Sequence, residues 1–359
     1  MSPVSPEAIR AAPKALLHDH LDGGLRVATV IELADKIGWA LPSTDESELQ
    51  RWFTAGAASL DLLAYLATFE HTLAVMQSAE NIERIAREAV HDLVADGVVY
   101  AEIRYAPELH QLPAEASIEA ICSGFRAAEA TAAATGAPIT VNLIVCAMRT
   151  EQRSDEIVRV VDRVRRAEPK VVAFDLAGAE TGWPPSMHAE ALRYARENHL
   201  NITIHASEPP DLELISDALA HGAHRIGHGV RLQADMTIEN GEVTAMGTLA
   251  RYVLDRGVHL EMAPTCHVHV GAVPNLESHP IGPMVRAGFN VGVNTDNRLM
   301  SDVMPSSELW DLHQAQNLTW GEIEQLVVNA VSSSFAPVEE RRRIIDTVVR
   351  PAYSDLSLA

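Results

Sequence analysis

Eight short apolar runs, each followed by a stretch of another character, fix what this chain can fold into. The runs are 14–20 (KALLHDH), 98–105 (VVYAEIRY), 139–147 (ITVNLIVCA) and 171–177 (VVAFDLA), then 201–206 (NITIHA), 224–228 (HRIGH), 258–263 (VHLEMA) and 290–296 (NVGVNTD). Runs this short and this apolar are expected for strands covered on both faces. Between them the period changes. Ile82, Ile85, Ala86, Ala89, Val90, Leu93 and Val94 recur at helical spacing, and Gly97 ends a helix predicted over 80–96. Ser154 is expected to cap a second over 154–166, and further helices are predicted near 186–198, 211–220 and 246–256. Strand then helix, repeated eight times, predicts an α/β fold, the (β/α)8 TIM barrel. The rival, a doubly wound sheet, would not need eight units, and its glycine-rich phosphate loop is missing after the first run.

No Pro/Gly/Ser linker splits the sequence, so residues 1–359 are expected to form one domain with two additions. Residues 39–80, with Trp52, Phe53, Tyr65 and Phe69, form an insertion expected to be helical, either a lid over the site or extra packing. Residues 306–350 read as two or three further helices.

Polar residues interrupt the runs at their C-terminal ends, where barrels of this kind build their sites. His18, His20 and Asp22 alternate, so they share one side of the first strand. The fifth run ends in His205, with Glu208 three residues on; the sixth ends in His228 and the eighth in Asp296. Any one of these could be a satisfied core polar group, but four strands contribute at one level. Three imidazoles and one carboxylate from such a group suit Zn2+ with a position left for water. Some barrels hold two metals bridged by a carboxylated lysine at the end of strand four. Here VVAFDLAGAE has no lysine at its end and Lys170 precedes the strand, so one zinc is expected. Glu208 then suits a proton shuttle, or else a partner to His205. His228 suits a group that orients the nucleophile, or else a core histidine.

Charge bounds the partners. The formal net charge is −21, with lysine only at Lys14, Lys36 and Lys170, which disfavours nucleic acid and anionic membranes. Cys122, Cys146 and Cys266 are three and well spread, with no CxxC, against a disulfide framework or a cysteine zinc site. With no signal peptide or membrane span visible, a cytoplasmic protein is expected. The sequence assigns no oligomeric state.

HDHLDG, FDLAGAE, HASE, RIGHG and NTDN, in this order, resemble the adenosine deaminase family of the metal-dependent amidohydrolase superfamily. APKALLHDHLDGGLR and VNTDNRLMS are similar to its actinobacterial branch, and the resemblance runs from Ala12 to Tyr353. It implies that His18, His20, His205 and Asp296 bind zinc, that Glu208 protonates purine N1, and that His228 assists the attacking hydroxide. It further implies that His20, Asp22, Gly178 and Asn297 lie against a small purine nucleoside, with Asp22 on a sugar hydroxyl and Gly178 on the purine. The implied reaction is hydrolysis of adenosine or 2'-deoxyadenosine at C6 to inosine and ammonia.

Four departures from the family pattern fall around the substrate. Asn297 stands where many members have Asp, and its amide can donate to purine N7 without any adjustment of pKa. Ser207 makes HASE of the usual HAGE, a hardship if the backbone there needs positive φ. Pro209 and Pro210 follow at once. MAPTCHVHVGAV replaces a Cys-Pro-(Ser/Thr)-Ser-Asn stretch and brings a second HxH, His267 and His269, either a substrate or auxiliary metal contact or an idle surface loop. The alternatives are a deaminase of another 6-aminopurine nucleoside (aminodeoxyfutalosine or a modified nucleoside), a non-catalytic purine-binding relative, and a different amidohydrolase reaction.

Overall fold

The structure, a computed structural model, describes residues 4–60 and 62–358, without the side chains of 62–64, 66, 67 and 358. Residues 1–3 and 359, and residue 61 of the expected lid, lie outside the described residues.

The strands are β1 (Lys14–His20), β2 (Val98–Tyr105), β3 (Thr140–Met148), β4 (Val171–Ala177), β5 (Asn201–Ala206), β6 (Arg225–His228), β7 (Met236–Glu239), β8 (Glu242–Met246), β9 (His259–Met262) and β10 (Val291–Val293). Eight of them form one sheet in the order β1-β2-β3-β4-β5-β6-β9-β10, and all seven neighbouring pairs in that order are parallel. Helices pack outside, so both faces of the strands are covered, which is why they read as unbroken apolar runs. The TIM barrel expected from the sequence is therefore present.

The last joint is made differently. Asn294 Oδ1 accepts from the backbone N–H groups of Leu17 (2.8 Å) and His18 (3.0 Å). His20 N–H then donates to the Asp296 carbonyl (2.7 Å), and Asp296 N–H donates to the His18 carbonyl (3.0 Å). Asp19 and Asp296 form a parallel bridge. The cylinder is thus sealed by the residues that carry its candidate ligands.

The helix over Ala79–Ala95 shows how local sequence sets these elements. Ser78 caps it by accepting from Asn81 N–H, one stripe of Ile82, Ile85, Ala86, Ala89, Val90 and Leu93 is buried, and Gly97 at φ +77° turns the chain into β2. Ser154 behaves otherwise than expected. The helix Ser154–Val164 starts at that residue, Arg153 holds the cap position without a side-chain bond, and the Ser154 hydroxyl lies 2.9 Å from Nδ1 of His188 instead. The strand predicted over 290–296 ends at Val293, so Asp296 lies beyond it in the closing turn. The hairpin β7–β8 was not foreseen.

The insertion contains helices Glu46–Ala57 and Leu62–Val75, and the C-terminal additions contain Pro305–Gln316, Trp320–Ser333, Val338–Ile344 and Arg350–Leu358, joined through a π-turn over Ile345–Val349. Three α-helices thus fall within 306–350, as expected, and Arg350–Leu358 follows beyond that range. Among the described residues no helix is long and apolar enough to cross a membrane.

Candidate active site

Four strand ends converge on one mouth of the barrel. Asp296 Oδ1 lies 3.3 Å from Nε2 of His18 and 3.3 Å from Nε2 of His20. Nε2 of His20 lies 3.1 Å from Nε2 of His205. The rings of His18 and His205 are 4.6 Å apart, centre to centre, and His228 stands 4.8 Å from His18 and 5.2 Å from His205. One ligand atom from each of His18, His205, His228 and Asp296 falls within a span of 4.8 Å. His228 (φ +62°) and Asp296 (φ +58°) both adopt the left-handed backbone, the cost of turning sharply where a strand stops.

A buried ionic lattice beneath the mouth orients the rings. Nδ1 of His18 lies 3.0 Å from Glu261 Oε2, and Nδ1 of His205 lies 3.1 Å from Asp175 Oδ2. Arg104 joins the two carboxylates, at 2.9 Å to Asp175 and 2.6 Å to Glu261. Arg225 reaches Glu261 and Glu102, each at 2.6 Å, and Thr203 Oγ1 donates to Glu261 at 3.0 Å. With Nδ1 engaged, His18 and His205 each turn Nε2 to the centre. Nε2 of His18 is buried beside Asp296 Oδ1 (3.3 Å), so both ligand atoms are aimed at the space a cation would fill.

Charge follows the same division. Burial lowers the pKa of His20 and of His205, keeping both imidazoles neutral. Burial alone would raise Asp296, but His18 and His20 outweigh it and hold the carboxyl well below its usual range. His18 moves the other way: burial and Arg104 would lower it, but Asp296 and Glu261 raise it. The neutral imidazoles of His20 and His205 beside an ionised carboxylate are donors that fit a borderline divalent cation such as zinc.

Glu208 lies beside this centre, with Oε1 3.7 Å from Cys266 Sγ and 3.9 Å from Nε2 of His228. Burial, then the charges of Asp296 and Glu180, push its carboxyl up to about 8. Such a group carries its proton near neutrality. Glu180 fixes the loop by accepting from Ser207 N–H (2.6 Å) and Glu208 N–H (3.2 Å).

Asp22 sits in the turn after β1, buried, with Oδ1 unpaired and its carboxyl pushed up to about 6 by burial. Asn297 Nδ2 donates to Tyr65 Oη of the insertion (2.9 Å), and its Oδ1 is buried and unpaired. That side chain needs Gly23, where a Cβ would come within 2.0 Å of Asn297 Oδ1. Gly178 follows β4 with φ +88°, exposed.

The family description "Adenosine deaminase" matches residues 13–351. The chain belongs to the adenosine deaminase family. It is accordingly a hydrolase acting on C–N bonds. An adenosine deaminase of Mycobacterium marinum (strain ATCC BAA-535 / M) is 46% identical over 355 residues, covering 98% of each chain. The crystal structure of an adenine deaminase from Arthrobacter aurescens superposes with a TM-score of 0.82 at 24% identity, covering 97% of this chain and 100% of that one. An amidohydrolase from Burkhoderia ambifaria, solved with bound Zn, gives 0.81 at 24% identity, covering 99% and 95%.

For a chain of the adenosine deaminase family, the departures noted in the sequence occupy telling places. Ser207 does adopt positive φ (+68°), and its Oγ donates to the Asp211 carbonyl (2.8 Å). Cys266 Sγ stands 2.9 Å from Asp296 Oδ2. His267 is wholly buried against His228, not on an idle surface loop, whereas His269 is only half-buried. Glu180, Asp175, Glu261, Arg104 and Arg225 received no role from the sequence. For the four within strands the signal was available, since a charge inside a strand covered on both faces must be paired, whereas Glu180 lies in the loop after β4.

Proposed function

We propose that this enzyme deaminates adenosine or 2'-deoxyadenosine hydrolytically, with one zinc held by His18, His20, His205 and Asp296. The observation that carries the proposal is the convergence of the three imidazoles and Asp296, with Glu208 at the same mouth. Zinc, when bound, supplies a water acidified to about pKa 7 and so a nucleophile at neutral pH. Glu208, protonated at about 8, gives its proton to purine N1 as C6 is attacked. His228 faces the reacting atoms and stabilises the charge that develops there. Asp22, with its unpaired oxygen, takes a sugar hydroxyl. Asn297 donates to purine N7, and the backbone of Gly178 meets the ring. The whole chain works as one hydrolase domain on a small purine nucleoside, and segment 39–80 closes over the site, a role supported by the bond between Tyr65 and Asn297. The three free cysteines favour a cytoplasmic setting.

A second reading keeps the chemistry and changes the substrate to another 6-aminopurine nucleoside. It is favoured by Cys266, a departure from the family pattern that stands against Glu208. One panel separates the two. Adenosine, 2'-deoxyadenosine, aminodeoxyfutalosine and N6-methyladenosine are followed by the change in purine absorbance and by release of the amine, ammonia from the first three and methylamine from the last, with chelated protein reloaded with zinc. Turnover of adenosine best of all supports the first reading; preference for another member supports the second. A zinc-replete protein that turns over none of them refutes both.

A further inference from the structure

One chain of polar groups runs from Ile281 to His228 at the active site, and its first members, Ile281, His279 and His267, have no part in the chemistry described above. Ile281 N–H donates to Nδ1 of His279 at 3.2 Å. Nε2 of His279 lies 2.9 Å from Nδ1 of His267, with the two ring planes 4° apart. Nε2 of His267 lies 3.1 Å from Nδ1 of His228. All three imidazoles are buried.

Donor and acceptor roles along this chain have one neutral solution. A backbone N–H can only donate, so Nδ1 of His279 holds a lone pair and the proton sits on Nε2. That N–H requires a lone pair on Nδ1 of His267, whose proton therefore also sits on Nε2. The same step repeats at His228: Nδ1 accepts, and Nε2 carries the hydrogen. Nε2 of His228 is the atom that faces Glu208 at the mouth. A nitrogen that carries a proton has no lone pair for a cation.

We propose that Ile281 N–H, His279 and His267 form a tautomer relay that holds His228 as an Nε2–H donor toward the reacting atoms and keeps it out of the metal-ligand set. His267 and His279 are positioning residues that act through His228. The inference rests on reading His228 as the group that faces the nucleophile. It also sorts the crowded centre: of the imidazoles beside His18 and His205, His20 is left as the third ligand and His228 is not. A second proton on either relay histidine would set two N–H groups against each other. Burial opposes that, lowering His267 far below its ordinary value and His279 to about 3.

The test is the imidazole nitrogen spectrum of the full-length protein labelled with 15N-histidine, metal-free and zinc-loaded. The His228 signals are identified by their loss in His228→Asn. The relay predicts a lone pair on Nδ1 of His228 and a proton on Nε2 in both states. His267→Gln keeps a donor at the same reach; it should preserve that pattern and keep kcat within about fivefold. His267→Glu replaces the donor by an acceptor at equal size. It should place a proton on Nδ1 of His228 and lower kcat about 10²-fold or more, with a smaller change in KM. A wild-type spectrum with the proton on Nδ1 of His228 overturns the relay, as do identical spectra and kcat in the Gln and Glu variants. The wild-type spectrum decides if His267→Glu does not fold. It also decides if no aminopurine is turned over, which would sink the proposed function separately.

Discussion

Glu261 Oε2 stands 3.0 Å from Nδ1 of His18, both groups fully buried, and this contact selects which nitrogen of the histidine faces the active site. The same carboxylate compensates Arg104 and Arg225. Replacing Glu261 by Gln keeps the shape and removes the charge, leaving two buried guanidiniums short of a partner. We expect a loss of about 3–5 kcal/mol in urea unfolding. Zinc affinity should fall about 10- to 100-fold in a chelator competition, because the ring exchanges a charged acceptor for a neutral amide. Unchanged values in both measurements would contradict the arrangement.

Glu208 and Asp296 are both acidic and sit at one mouth, yet their variants should fail differently. Glu208→Gln should bind a full equivalent of zinc and lose about 10²–10⁴ in kcat, since only the proton donor is gone. Asp296→Ala should lose metal as well as rate, read by elemental analysis after dialysis. A metal-replete Asp296→Ala protein would remove that residue from the ligand set.

Ser207 holds φ +68° and bonds the Asp211 carbonyl through Oγ. Ser207→Ala keeps the strained backbone and loses the bond; Ser207→Gly loses the bond but relieves the strain. The glycine variant should therefore be the more stable of the two by about 1 kcal/mol in thermal or urea unfolding. The reverse order would mean that the left-handed turn carries no penalty here.

Glu308, which is not itself a proposed metal ligand, gives stability a pH dependence of its own. Burial pushes its carboxyl from 4.5 up to about 8, only partly offset by the Thr265 N–H that it accepts at 3.2 Å. A value higher in the folded than in the unfolded chain stabilises fully below about pH 4.5, and the contribution is lost as pH rises through about 8. Glu308→Gln mimics the protonated form at every pH. Wild-type stability should therefore decline relative to that variant between about pH 5 and pH 9 in parallel urea titrations. Parallel curves would show that Glu308 does not titrate in this interval.

The barrel was legible because strands buried on both faces leave apolar runs, and because His18, His20, His205 and Asp296 break those runs only at their ends. Asp296 was read as a strand residue although it lies past Val293, in a segment that still bridges Asp19 of β1. Arg104, Asp175, Arg225 and Glu261 were passed over within runs read for their apolar content. Their partners sit on other strands, and sequence spacing does not reveal such pairing. The hairpin β7–β8 was missed for a different reason. Its residues alternate between half-buried and exposed, a weak apolar signal, but Asn240-Gly241 in IENGEV is a strong turn signal, and both residues do adopt positive φ. Ser154 shows the limit of local rules: a cap-forming residue gave its hydroxyl to His188, which the fold brings beside it.

The joint between the first and last barrel strands is made by His20 N–H on the Asp296 carbonyl and Asp296 N–H on the His18 carbonyl. A cation gripping these same residues would act as a rivet through the seam, so occupancy and roundness rise and fall together. Such an ion would not be dropped gently: springing the segment after β10 away from β1 would empty the centre, and emptying the centre would slacken that seam.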